Sequence, residues 1–130
     1  MFKLVKERLA WWPVKWMVPA EDGGKGREVK VELQFRVKSV DDLMGVLRAA
    51  ESINTEAGPE EDNPAISVAM AKAFAPMIAD WRGVGDEDGA SLAFSQDGLE
   101  MLFNMPGVFD AALRAYRSCV TGTPEARLKN

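Results

Sequence analysis

Residues 29–38 alternate without a break. Val29, Val31, Leu33, Phe35 and Val37 are apolar, whereas Lys30, Glu32, Gln34, Arg36 and Lys38 are polar. A period of two sustained over this length means a β-strand with one dry face and one wet face. Such a strand needs a neighbour along its edge and a second layer against its dry face, because a lone hairpin is marginal in water. Those two demands constrain the rest of the chain.

The neighbour lies just upstream. Val14, Trp16 and Val18 alternate with Lys15 and Met17, which predicts a strand over residues 15–19. Pro13 has no N–H for a ladder, so it belongs at the start of that strand or on a sheet edge. Between the two strands stands Glu21-Asp22-Gly23-Gly24-Lys25-Gly26. Its glycines supply the positive φ of a tight turn, so the two strands form a hairpin.

The second layer is helical. Ser39 with Asp41 and Asp42 makes a helix start, and Leu43, Val46, Leu47, Ala50 and Ile53 share one face. Gly58-Pro59 and the acidic run Glu60-Glu61-Asp62 end it as a solvated loop. Asn63-Pro64 is a further start signal. Ile66, Met70, Phe74, Met77, Ile78 and Trp81 then recur at helical spacing, with Pro76 predicting a stop near Ala75 and a bend or new turn beyond it. Residues 82–93 read as a loop. Ser95 caps a helix carrying Leu99, Leu102 and Phe103. Asn104 and Pro106 separate it from a last helix lined by Val108, Phe109, Ala112, Leu113, Tyr116 and Val120, closed by Gly122. The expected fold class is α+β: one domain over residues 1–130, with a β-hairpin region (1–38) packed against four or five α-helices (39–122) and a polar tail (123–130).

Composition narrows function. With 130 residues and 47% apolar side chains, one ordinary core is within reach. No apolar run approaches a membrane span, and the first ten residues lack the apolar stretch of a signal peptide, so a soluble cytoplasmic protein without membrane contact is expected. The chain has no histidine, which removes the commonest general base and metal ligand. Its one cysteine, Cys119, sits in an apolar helical pattern and reads as a core thiol. Net charge is −4, but it is unevenly spread: residues 1–40 carry +4, residues 41–100 carry −10 and residues 101–130 carry +2. The basic residues of the first part interleave with Glu28 and Glu32 along strands. They read as solvated strand faces, and no nucleic-acid partner is expected.

Motifs for chemistry fail on inspection. Placing Gly89 at the sixth position of a calcium loop puts Val84 first and Ser95 twelfth, neither a suitable ligand. Gly83-x-Gly85 follows no recognisable strand and is not a dinucleotide fingerprint. Asp86 and Asp88 are paired carboxylates with no apolar cleft around them. Ser67, Ser91, Ser95 and Ser118 have no histidine to activate them. No catalytic, cofactor or metal residue is assigned. Interaction is the alternative. Neighbours on a strand point oppositely, so Trp11 and Trp12 cannot share a face: either one is exposed for a partner, or each buries against a different element. The candidate partner-binding residues are Trp11, Trp12 and Trp16 near the edge strand, and Trp81, Asp86 and Asp88 in the loop, with Met70 and Met77 as adaptable apolar contacts.

Taken in order, several short pieces resemble the tail assembly chaperones of long-tailed bacteriophages and prophages. These are Phe2-Lys3-Leu4-Val5-Lys6, Pro13-Val14, Val18-Pro19, Asp22-Gly23-Gly24, Phe35-Arg36-Val37, Trp81-x-Gly83-Val84 with its acidic glycine turn, Phe94-Ser95 with Leu99, Tyr116, and Ala126-Arg127-Leu128-Lys129-Asn130. Residues 45–79 add nothing to the likeness, and the tandem Trp11-Trp12 falls outside it. The resemblance implies a non-catalytic chaperone that binds the long helical tape measure protein, keeps it soluble and helps recruit tail tube protein. It implies a homo-oligomer, as a ring or spiral, no cofactor, a place in the cytoplasm of the bacterial host and absence from the mature virion. The alternative reading is a minor tail or head–tail connector subunit retained in the particle.

Overall fold

The computed structural model describes residues 1–53 and 65–122. Strands β1 (Arg8–Val18), β2 (Arg27–Val37) and β3 (Ile78–Arg82) form one antiparallel sheet in the order β1-β2-β3. The helices among the described residues are α1 (Val40–Glu51), α2 (Ile66–Phe74), α3 (Gln96–Phe103) and α4 (Val108–Thr121), with a short 3₁₀ turn, Ala75–Met77, after α2. The architecture is α+β, and the expected hairpin is present.

The hairpin turn works through its glycines and one aspartate. Gly23 has φ of +75°, and the Gly24 N–H donates to the Asp22 carboxylate at 2.9 Å. A side chain at Gly26 would come 2.9 Å from the Val18 carbonyl oxygen, so the strands leave no room for one. β1 is longer than residues 15–19: it begins at Arg8 and runs through Pro13. The proline is tolerated because β1 is an edge strand, paired with β2 alone.

The largest departure comes after Pro76. The helical spacing carried the expected pattern to Trp81, but residues 78–82 form β3, which extends the hairpin to three strands. Pro76 sits in the 3₁₀ turn, and the chain leaves it extended. Leu33 then pairs with Trp81 and Phe35 with Ile78, with an irregularity between Gln34 and Phe35.

Capping obeys the expected chemistry elsewhere. The Ser39 hydroxyl accepts from the Asp42 N–H at 3.1 Å, and Ser95 accepts from Gly98 at 2.9 Å. α4 ends on Gly122 in the left-handed region. The start signal at Asn63-Pro64, the loop around residues 58–62 and the tail at 123–130 lie outside the described residues.

The core fills the space between the sheet and the helices. Trp12, Val14, Val31, Leu33, Phe35, Ile78 and Trp81 face it from the strands, and Val46, Ala71, Phe74, Leu99, Phe103, Val108, Phe109, Ala112 and Tyr116 face it from the helices. Phe74 is the meeting point. Its ring lies 5.4 Å from Tyr116, 6.0 Å from Phe103 and 6.1 Å from both Phe35 and Phe109. Phe109 and Tyr116 meet it edge-on, and aromatic pairs of this kind add about 0.5–1.5 kcal/mol each to the burial itself. Phe74→Ala should therefore lower stability by about 3–5 kcal/mol in a urea titration, the range for deleting a buried phenylalanine.

Tyr116 offers a second test. Burial, aided by Cys119 and Asp42, holds its hydroxyl above the usual tyrosine range. An acid kept neutral by the fold stabilises fully below the unfolded value of about 10, and that contribution fades as pH rises through the folded value. Stability should fall above about pH 10, and Tyr116→Phe should flatten the fall. An equally steep decline in the variant would show that another group is responsible.

Candidate partner-binding surface

Strand parity sorts the tryptophans. Trp12 faces the core with Val14 and is 8% exposed. Trp11 points to the opposite face, where it is half-buried. There the Arg82 guanidinium carbon lies 3.9 Å from the Trp11 ring centroid, and Arg82 also pairs with Glu32 at 3.1 Å. Register explains the meeting: Trp11 stands opposite Gln34, and Pro13 opposite Glu32, which pairs with Arg82 in turn. Trp16 is half-buried and packs on the edge of the core.

Trp12 and Trp81 are thus corrected as candidate contact residues, because both are taken up by the core. Trp81 is 5% exposed. Its indole N–H donates to the Leu92 carbonyl at 2.8 Å, and its ring meets Phe94 edge-on at 5.2 Å. It clamps the acidic loop onto α3. Met77 is likewise buried and Met70 half-buried against the core. The exposed methionines within strands, helices and turns are instead Met17, Met44, Met101 and Met105.

The acidic loop is a self-contained turn. The Asp86 carboxylate accepts from the N–H groups of Asp88 and Ala90 at 2.9 and 3.0 Å. Gly85 and Ser91 form a single bridge, and the Leu92 N–H donates to the Val84 carbonyl at 2.9 Å. Asp86 therefore shapes its own loop, and both Asp86 and Asp88 are exposed. Among the described residues, no three His, Cys, Asp or Glu side chains gather to hold a metal ion. Among those residues, too, no helix is long and apolar enough to cross a membrane.

What the structure does present is an open sheet face. The helices cover one side only, and on the other Leu9, Met17, Glu28, Lys30, Asp80 and Arg82 are exposed. Apolar residues on that face belong to β1: Leu9 and Met17 are exposed along it, Trp11 is half-buried and Pro13 is buried, whereas β2 and β3 contribute charged and polar side chains. Lys15 stands directly opposite Lys30, an arrangement that repels within the sheet. Leu9 and Met17 were missed from the sequence, and Arg82, inside the candidate loop from Trp81 to Asp88, was not singled out. Extending the β1 alternation back through Trp12 and Ala10 places Leu9 and Met17, but nothing local announces Arg82.

No protein-family model matches the chain, and neither a curated protein nor a solved structure does.

Both edges of the sheet are blunted. Pro13 interrupts the free edge of β1, and in β3 the Trp81 N–H is held by the Asp80 carboxylate at 2.8 Å. The lock on Trp81 can be tested from the other side. An added methyl at Gly98 would sit 2.7 Å from the indole Cη2 atom. Glycine to alanine inside a helix normally stabilises by about 1 kcal/mol. Here Gly98→Ala should instead destabilise by about 1–3 kcal/mol in urea, as overpacking does. A gain in stability would show that the indole is free to move.

Proposed function

We propose that the chain is a tail assembly chaperone of a long-tailed phage or prophage, which binds the tape measure protein without catalysis, self-associates and helps recruit tail tube protein. The observation that carries the reading is the apolar line of Leu9, Trp11 and Met17 along the open face of an edge strand. Exposed apolar lines on a chain with a complete core mark interaction surfaces.

Pro13 bears on the kind of partner. A strand adding to β1 would meet a gap in the ladder. A helix satisfies its own backbone and needs only side-chain contact. The surface therefore favours a helical client, as the tape measure protein is in the family this sequence resembles. The like-charged pair Lys15 and Lys30 favours a client segment with carboxylates beside its apolar stripe. The order of short motifs, from Phe2-Lys3-Leu4 to Ala126-Arg127-Leu128, supports the same role.

Co-expression with the tape measure protein of the phage or prophage that would carry this chain tests the reading. The wild type should be captured as a complex, and Leu9→Ser with Trp11→Ala and Met17→Ser should lose capture by about tenfold or more, as expected where an aromatic contact worth over 1 kcal/mol is removed. The variant's thermal unfolding should stay close to that of the wild type. Failure of the wild type to form a complex, or recovery of the chain from purified particles, would overturn the role.

A further inference from the structure

Of the exposed apolar surfaces outside the β1 line, which include Val40 and Met44 on α1, two carry opposite charge. The first is residues 1–7, which carry no regular secondary structure. Phe2 is 76% exposed, Leu4 93% and Val5 54%, and Lys3 and Lys6 are exposed between them. The ties of this segment run to the start of the sheet. Arg8 lies over the Phe2 ring at 5.0 Å, Arg8 donates to the Lys3 carbonyl at 2.6 Å, and Glu7 pairs with Arg36 at 3.0 Å. Each of these contacts is solvent-exposed and adds little.

The second surface is the outward side of α3. Gly98, Leu99 and Phe103 face inward and are buried. Asp97, Glu100, Met101 and Asn104 fall on the other side by their three- and four-residue spacing, and Met105 stands in the turn beyond. Met101 is 65% exposed and Met105 51%. The surface is apolar and anionic, where residues 1–7 are apolar and cationic. Methionines accept irregular apolar partners well.

We propose that residues 1–7 of one copy dock on the outward face of α3 in a second copy. Phe2 and Leu4 pack on Met101 and Met105, and Lys3 and Lys6 meet Asp97 and Glu100. The contact rests on the self-association in the proposed function and names its two surfaces. They are different patches, so the contact is head-to-tail and propagates into a ring or an open helix. It leaves the β1 face free for the client.

Light scattering on the full chain across concentration and salt tests this. The wild type should exceed the single-chain mass, and salt should reduce it by screening the lysines. Lys3→Glu/Lys6→Glu and, separately, Asp97→Lys/Glu100→Lys should each lose the assembly. Mixing these two variants should restore it, because the reversed segment of one then meets the reversed helix of the other. Phe2→Ser/Leu4→Ser should also lose assembly. Should circular dichroism show the Asp97→Lys/Glu100→Lys chain unfolded, the neutral Asp97→Asn/Glu100→Gln chain replaces it, and loss of mass is again expected. A single-chain mass for the wild type, unchanged mass in either charge variant, or a mixture no larger than its parts would overturn the contact. Capture of the tape measure protein by the Lys3→Glu/Lys6→Glu chain is read separately. If capture persists while the charge variants fail to behave as stated, the chaperone reading stands without this contact.

Discussion

Phe74 is fully buried where β2, α3 and α4 converge on α2, and four other aromatic rings surround it. That placement ties elements far apart in the chain into one core. Phe35 reaches it from β2, Phe103 from the end of α3, and Phe109 and Tyr116 from positions two turns apart on α4. A domain of this size buries a modest fraction of its surface, so it relies on a few large side chains that several elements share. The position of α2 also directs the path of the chain beyond it. The backbone leaves Phe74 through a proline turn and must return to the sheet, which it does as β3 beside β2.

The sheet then acts as a sorter. Strand neighbours point to opposite faces, so Trp11-Trp12 divides at once into a core residue and a surface residue. Trp12 joins the core beside β2, opposite Leu33, which in turn stands opposite Trp81. Trp11 faces outward under Arg82, and an exposed cation–π contact there stabilises by about 0.5–1 kcal/mol. The two tryptophans that anchor the fold and the one that faces outward are thus separated by register alone.

Much of this was legible in the sequence because it is local. The alternation of residues 29–38, the glycine turn, the Ser39 and Ser95 caps and the Gly122 stop each depend on side chains within a few positions. β3 was not legible, since five residues with two apolar anchors fit a helical period as readily as a strand once Ile66 to Phe74 has set that period. Tertiary pairing with β2 decided it. The candidate surface was read in part for the same reason. Parity showed that Trp11 and Trp12 must separate, but which of them faces the helices depends on register. Trp81 looked like a loop aromatic because its partners, Leu92, Phe94 and Gly98, meet it only after the loop folds back.

The blunted edges connect the fold to the proposed role. An open three-stranded sheet with two free edges is a template on which further copies can stack without limit. A chaperone whose client is long and apolar must avoid that outcome while still offering apolar surface. Pro13 and the Asp80–Trp81 contact act on the edges and leave Leu9, Trp11 and Met17 on the open face. Contact is thereby steered from backbone pairing to side-chain packing. Side-chain packing selects partners by shape and charge, and the uneven charge along this chain, cationic over residues 1–40 and anionic over residues 41–100, supplies the second of those. A sheet that offers its face to helices and closes its edges to strands can hold a helical client without joining other copies through its backbone.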